Sequence, residues 1–333
     1  MTNQPMAVSS VLAPDYLMSC LSGQYELGPW THCVYWLRGL NDTYRVQTEK
    51  GTYIVRVYRQ EIGEREAAYE MALLGQLEEL LAGTEASIAP PVRKVDGTCY
   101  SVIAAPEGER IAVLVEYAEG IENRLQDEES CYAFGQSAAQ LHLAMDQVQL
   151  ELPRRELNTE FLVEESLQRI IRHIGKEHPA AVFLREYANA LKDRVASAAA
   201  EGLDWGICHG DMHGNNNAVE TDGRYTHFDF EWSAPCWRAY DLAQVRNRKR
   251  QSAESKDQLW QALLAGYRSV RSFSEKDEQA VELFVLVRRF WIMSLDVLFV
   301  PTQSGALDYG EDWLNDFLEE FRSAGLVQHA PQA

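Results

Sequence analysis

The chain has 333 residues, of which 46% are hydrophobic and 24% charged, an ordinary globular composition with length enough for two domains. Its formal net charge of -19 speaks against a general nucleic-acid binder, because phosphate contacts need clustered Lys and Arg. An acidic surface favours a cationic small molecule electrostatically, or simply keeps the protein in solution. The six cysteines (Cys20, Cys33, Cys99, Cys131, Cys208, Cys236) form no Cys-x-x-Cys pair, so neither a zinc ribbon nor a dithiol motif is indicated. The N-terminus lacks a basic segment followed by an apolar stretch, and no apolar run reaches the length of a membrane span. The expectation is a soluble, cytoplasmic protein with reduced thiols.

Taken in chain order, "VYWLRGLNDTYRVQTEKGTYIVRVYRQ" reads as strands broken by the turn segments "RGLND" and "EKG". "EREAAYEMALLGQLEELLAG" follows as a helix ended by Gly83, and "TCYSVIAAP" and "RIAVLVEYAEG" as two further strands. This β-β-β-α-β-β order predicts a small α+β lobe on an antiparallel sheet, over residues 1–116. From 117 to 333 the chain turns mainly helical, through "CYAFGQSAAQLHLAMDQV", "EFLVEESLQRIIRHIG" and "AAVFLREYANALKDRVASAAAEG". Two short apolar runs, "NAVE" and "YTHFDF", flank "TDG" as a hairpin. Helical pattern returns from Asp241 onward, in "LWQALLAGYRSV" and "EQAVELFVLVRRFWIMSLDVLF". A cleft between two such lobes is a preferred place for a small molecule.

Between the helices and the hairpin lies "HGDMHGNNN", residues 209–217. Asparagine and glycine make this an irregular loop, and irregular loops often carry function. His209 and His213 have the spacing of a zinc-binding His-x-x-x-His, but that motif needs a helix, which the glycines and asparagines oppose, and its glutamate is missing. A hard cation such as magnesium wants oxygen ligands, which the Asn216 amide and the Asp229 carboxylate offer. Asp211, five residues before Asn216, is a second carboxylate able to orient and deprotonate a hydroxyl. Phosphoryl transfer needs that division of labour, being mostly positioning and charge neutralisation.

"HGDMHGNN" resembles the His-Gly-Asp-x-His-x-x-Asn signature of the aminoglycoside phosphotransferase and choline kinase superfamily. "FDFEWSAPCWRAYDLA" is similar to its metal-binding Asp and downstream Asp-Leu-Ala element. "GLNDTYRVQTEKGTYIVRVYR", "YEMALLGQL" and "GQSAAQLHLAMD" look like its nucleotide-covering hairpin, first-lobe helix and the helix supporting the catalytic loop. The pattern is nearest that of bacterial homoserine-kinase-like and stress-response kinases.

The resemblance implies a bilobal protein-kinase-like fold and transfer of the γ-phosphoryl of ATP (or GTP), with Mg2+, to a hydroxyl of a small molecule. The acceptor could be an amino alcohol, amino acid, sugar or aminoglycoside. It implies Asp211 as catalytic base, and Asn216 and Asp229 as magnesium ligands. Arg56 falls where the family usually has the phosphate-pairing lysine, and Glu70 where its ion-pair partner sits. Gly39 and Asn41 fall near the phosphates, although "RGLND" has one glycine rather than a glycine array. Glu116, Tyr117 and Ala118 fall on the connecting segment beside the base of the nucleotide.

For the acceptor, His213, Glu231, Trp232, Trp237 and Trp291 are candidates, an acidic and aromatic set that suits a protonated or quaternary amine. In an extended strand Glu231 would share the face of Asp229. Asp241 is expected to brace the loop. A nucleotide-binding pseudokinase, a protein Ser/Thr kinase and a zinc hydrolase on His209 and His213 are the alternatives. No nucleic-acid or membrane partner is expected.

Overall fold

The protein is described from a computed structural model covering residues 7–152, 154–246, 253–302 and 305–327. The chain divides into two compact units, each discontinuous in sequence. One comprises the chain through Arg124, Ala133–Arg154 and Asn215–Trp232; the other comprises Leu125–Tyr132, Arg155–Gly214 and the chain from Ser233. One of the points where the chain passes between the units lies within the 209–217 loop, between Gly214 and Asn215.

The first unit is built on a five-stranded antiparallel sheet of order β1-β2-β3-β6-β5, from β1 (Trp30–Arg38), β2 (Asp42–Thr48), β3 (Gly51–Val57), β5 (Tyr100–Ala105) and β6 (Gly108–Glu116). The expected antiparallel sheet is thus present. Alternation decides its faces. Tyr44 and Val46 of β2 and Val55 and Val57 of β3 are buried in a core with Leu17 and Leu21 of α1 (Pro14–Leu21), a helix with no counterpart in the sequence reading. Each such fully buried side chain contributes roughly 1.5–3 kcal/mol. The register pairs Arg45 with Ile54 and Thr43 with Arg56, so these four occupy the opposite face.

Helix α2 (Glu64–Leu80) starts where Glu66 accepts the Gly63 N–H at 3.2 Å. After it, β4 (Ala86–Ile88) leaves the main sheet and pairs in parallel with β9 (Tyr225–His227), which pairs antiparallel with β8 (Asn217–Val219). The hairpin at "TDG" is as expected, but its second strand ends at His227 rather than running through "FDF".

In the second unit α8 (Glu275–Leu298) packs against α4 (Glu165–Ile174), α5 (Ala180–Ala200) and α6 (Arg238–Arg246). It is capped by Ser274, whose hydroxyl accepts the Asp277 N–H at 3.1 Å, and its first turn is acidic, which suits the helix dipole. Tyr187 stacks on Phe321 of α9 (Glu311–Ser323) at 4.6 Å and on Phe290 of α8 at 6.0 Å. A two-stranded ribbon of β7 (Trp205–Cys208) and β10 (Ala234–Trp237) delivers the chain into the 209–217 loop and into α6. Among the described residues no helix is long and apolar enough to cross a membrane.

Candidate active site

In the first unit, Arg56 Nη1 lies 3.0 Å from Glu70 Oε1 and 3.2 Å from Asp229 Oδ1. The pairing of Arg56 with Glu70 is the one the family resemblance implied. Tyr58 donates to the other Glu70 oxygen at 2.6 Å, so both carboxylate oxygens are engaged. Burial disfavours the Arg56 charge, but Asp229 and Glu70 outweigh it and hold the guanidinium firmly protonated. Burial likewise pushes the Glu70 carboxyl up, against the pull of Arg56 and Tyr58.

Asn216 and Asp229 come to the same end of the β8–β9 hairpin. Asn217 pairs with His227, and one step further the Phe228 N–H donates to the Asn216 carbonyl at 3.0 Å. Asp229 follows directly, with φ of +67°. Left-handed backbone is uncommon away from glycine, though Asp tolerates it better than most, and it costs on the order of 1–3 kcal/mol where structure enforces it.

Past the left-handed residue Asp229 the chain is no longer strand, and Glu231 is buried, ion-paired with Arg59 and accepting from Asn41 Nδ2. The Arg59 N–H donates to Asn41 Oδ1 at 3.0 Å, and the Arg154 guanidinium donates to the Glu231 carbonyl. Asn41 is therefore tied into a buried polar network. Trp232 lies under the Arg59 guanidinium at 5.4 Å.

Gly39 is exposed in the β1–β2 turn, its N–H donating to Asn41 O at 3.1 Å, and a Cβ there would meet open space. On the connecting segment, the Glu116 N–H is engaged by Pro90 O at 2.9 Å and the Tyr117 N–H by Thr52 O at 3.3 Å. Ala118 beside them is half-buried. The Tyr117 ring holds the Arg45 guanidinium at 5.1 Å, with Trp36 5.3 Å from the same group.

In the second unit, the Asp211 loop is braced from α6. Asp241 accepts the His209 N–H at 2.6 Å and the Gly210 N–H at 2.8 Å, and Gln244 donates to the Gly210 carbonyl at 3.0 Å. The expected bracing role of Asp241 thus has a direct geometric basis. His209 Nδ1 accepts the Asp211 N–H at 3.2 Å, which commits that nitrogen to the loop rather than to a metal. His213 Nε2 is 3.5 Å from Asp211 Oδ2. Burial alone would raise the Asp211 carboxyl, but the Arg288 guanidinium, then His213 and His209, hold it well below the usual carboxylate range. Burial pushes the Cys208 thiol up, so a reactive thiolate beside the loop is disfavoured.

Trp237 packs on Trp205 at 4.7 Å and Phe284 at 5.4 Å. Trp291 is buried, with the Arg288 guanidinium 4.5 Å from its ring, so its place is beneath the loop rather than at an open substrate surface. Arg288 and Arg59 were missed in the sequence. Arg288 had a signal: it is an arginine inside an apolar helix, four residues after Phe284 and three before Trp291, hence on their face.

The model of the phosphotransferase enzyme family matches residues 38–273. A protein of Deinococcus radiodurans described only as uncharacterized is 36% identical, over 87% of this chain and 83% of its own length. A homoserine kinase of Xanthobacter autotrophicus is 28% identical over 98% of both chains. Among solved structures, an amicoumacin kinase in complex with AMP-PNP and Ca2+ superposes with a TM-score of 0.76 at 19% identity, over 94% of both chains. A microcompartment-associated aminopropanol kinase gives 0.70 at 17%, over 92% of this chain and 94% of that one. These likenesses show the protein-kinase-like α+β fold. With its loop, hairpin and ion-paired arginine in place, the chain belongs to the phosphotransferase enzyme family and is a small-molecule kinase.

Proposed function

We propose that this protein transfers the γ-phosphoryl group of ATP to a hydroxyl of a small molecule, with Asp211 as the base and Asn216 and Asp229 as magnesium ligands. The observation that carries the reading is the arrival of Asn216 and Asp229 at one end of the hairpin, with Arg56 on the same carboxylate. An amide oxygen and a carboxylate are the hard oxygen donors that magnesium takes, and one or two protein ligands are its usual share beside phosphate. When bound, the ion would neutralise charge on the phosphates. Arg56, held by Glu70, would steady the phosphates by its fork of donors. Asp211 would accept the hydroxyl proton, in a loop whose backbone is fixed from α6 by Asp241 and Gln244.

The acceptor belongs to the amino-alcohol, amino-acid, sugar or aminoglycoside class. Kinship to homoserine kinases over nearly the full chain supports an amino acid, and the fold shared with aminopropanol and amicoumacin kinases supports an amine-bearing alcohol. The net charge of -19 suits a cationic acceptor in either case. The test is ADP release from MgATP over a panel of homoserine, choline, ethanolamine, aminopropanol, amino sugars, neutral sugars and aminoglycosides. One acceptor class should stimulate release. Tight ATP binding with no stimulation by any hydroxyl compound would favour a nucleotide-binding regulatory protein instead, and phosphate appearing on protein serine would favour a protein kinase.

A further inference from the structure

We infer that Arg288 is the positioning residue of the phosphoryl-transfer step, fixing the Asp211 carboxylate from α8 across 77 residues of chain. The inference rests on the reading of Asp211 as the base.

Four observations meet at this side chain. Its Nη2 is ion-paired with Asp211 Oδ1. Its Nη1 is 3.3 Å from the Gly210 carbonyl and 3.3 Å from the Tyr240 hydroxyl. Its guanidinium lies 4.5 Å from the Trp291 ring and 6.0 Å from the Tyr240 ring. It is 7% exposed, so the charge is held inside the unit and depends on these partners. One planar fork thus grips the side chain of Asp211 and the peptide carbonyl before it, while two aromatic rings fix the plane of the fork.

An isolated buried arginine is costly, and a buried ion pair is seldom kept for stability alone. Here the geometry gives the pair a task. Gly210 has φ of +81° and its carbonyl also accepts from Gln244, so the backbone entering Asp211 is set by α6 and α8 together. The remaining freedom is the Asp211 side-chain torsion, which Arg288 restrains by taking Oδ1 while His213 Nε2 stands 3.5 Å from Oδ2. A base misplaced by about 1 Å can lose on the order of a hundredfold in rate. Arg288 acts through Asp211 and needs no contact with the nucleotide.

The test is a kinetic double-mutant cycle of Arg288→Met with Asp211→Asn, using the acceptor that the panel identifies, with nucleotide affinity by calorimetry and thermal unfolding as controls. Arg288→Met should lower kcat about ten- to a hundredfold while leaving nucleotide Kd and acceptor KM within about twofold. Added to Asp211→Asn, it should lower the residual rate by less than about twofold, because the group it positions no longer serves as a base. Arg288→Lys should recover part of kcat, since one ammonium cannot reach both Asp211 and the Gly210 carbonyl as a fork does.

Equal losses from Arg288→Met in the wild-type and Asp211→Asn backgrounds would overturn the inference. So would an unchanged kcat, or a loss confined to KM or to thermal stability. If Arg288→Met fails to fold, the same cycle with Arg288→Lys decides by the same criterion. Full activity in Asp211→Asn alone would instead overturn the assignment of the base.

Discussion

Arg56 Nη1 stands 3.2 Å from Asp229 Oδ1, so the carboxylate read as a magnesium ligand shares its charge with the arginine read as a phosphate clamp. Glu70 holds the far side of the same nitrogen at 3.0 Å. A guanidinium can serve both carboxylates and still present donors to a phosphate, which a single ammonium does less well. Arg56→Lys should therefore raise nucleotide KM and lower kcat together, by about tenfold in kcat/KM. Steady-state kinetics against ATP checks this. Unchanged constants would mean that charge alone is used.

Asp229→Asn isolates the carboxylate from the backbone. Asn also tolerates a φ of +67°, so folding should survive with a change within about 1 kcal/mol. Magnesium-dependent nucleotide binding should fall at least about tenfold, because one hard anionic ligand is lost. Calorimetry with and without magnesium reads the difference, and equal affinities in the mutant and wild type would remove Asp229 from the metal site.

Asp211 carries a pH signature. Its carboxyl is held below its ordinary value in the folded protein, so the ionised form is favoured by folding. The stability this contributes is fully present above the unfolded carboxylate value of about 3.9 and is lost as pH falls toward the folded one. The thermal stability of wild type relative to Asp211→Asn should be constant from neutral pH down to about 5 and shrink below about 4. A difference that grows on acidification would contradict the ion pair with Arg288.

Gly120 ties the connecting segment to the hairpin that carries Asn216. It has φ of +109°, and a Cβ there would lie 2.2 Å from the Val219 carbonyl oxygen of β8. The neighbouring Ile121 exchanges backbone hydrogen bonds with Val219 at 3.0 and 2.8 Å. Gly120→Ala should destabilise the protein by on the order of 2 kcal/mol and weaken nucleotide binding with it. Thermal denaturation with and without nucleotide measures both effects.

Local spacing explains what was legible in the sequence. The runs over 30–57 alternate and are rich in β-branched and aromatic residues, and they form β1, β2 and β3. Asp211, Asn216 and Asp229 lie within one short stretch, where order and chemistry can be read together. The apolar face of α8 was equally plain, but the role of one arginine on it was not, because its partner Asp211 lies 77 residues earlier. Arg59 and Glu231 are paired across still more chain. The buried partners of Glu231 are out of reach of local spacing, since Asn41 lies 190 residues earlier. Trp291 could be read by residue type either as core or as a candidate for the acceptor, and its burial on α8 makes it core.

The most direct measurement is transfer of labelled phosphate from γ-labelled ATP to the acceptor found in the panel, in wild type and Asp211→Asn, with nucleotide affinity measured on the same preparations. Phosphorylated acceptor is expected from the wild type, with a loss of at least about a hundredfold in Asp211→Asn and nearly equal nucleotide affinity. Undiminished transfer by Asp211→Asn would contradict the role of Asp211 as the base.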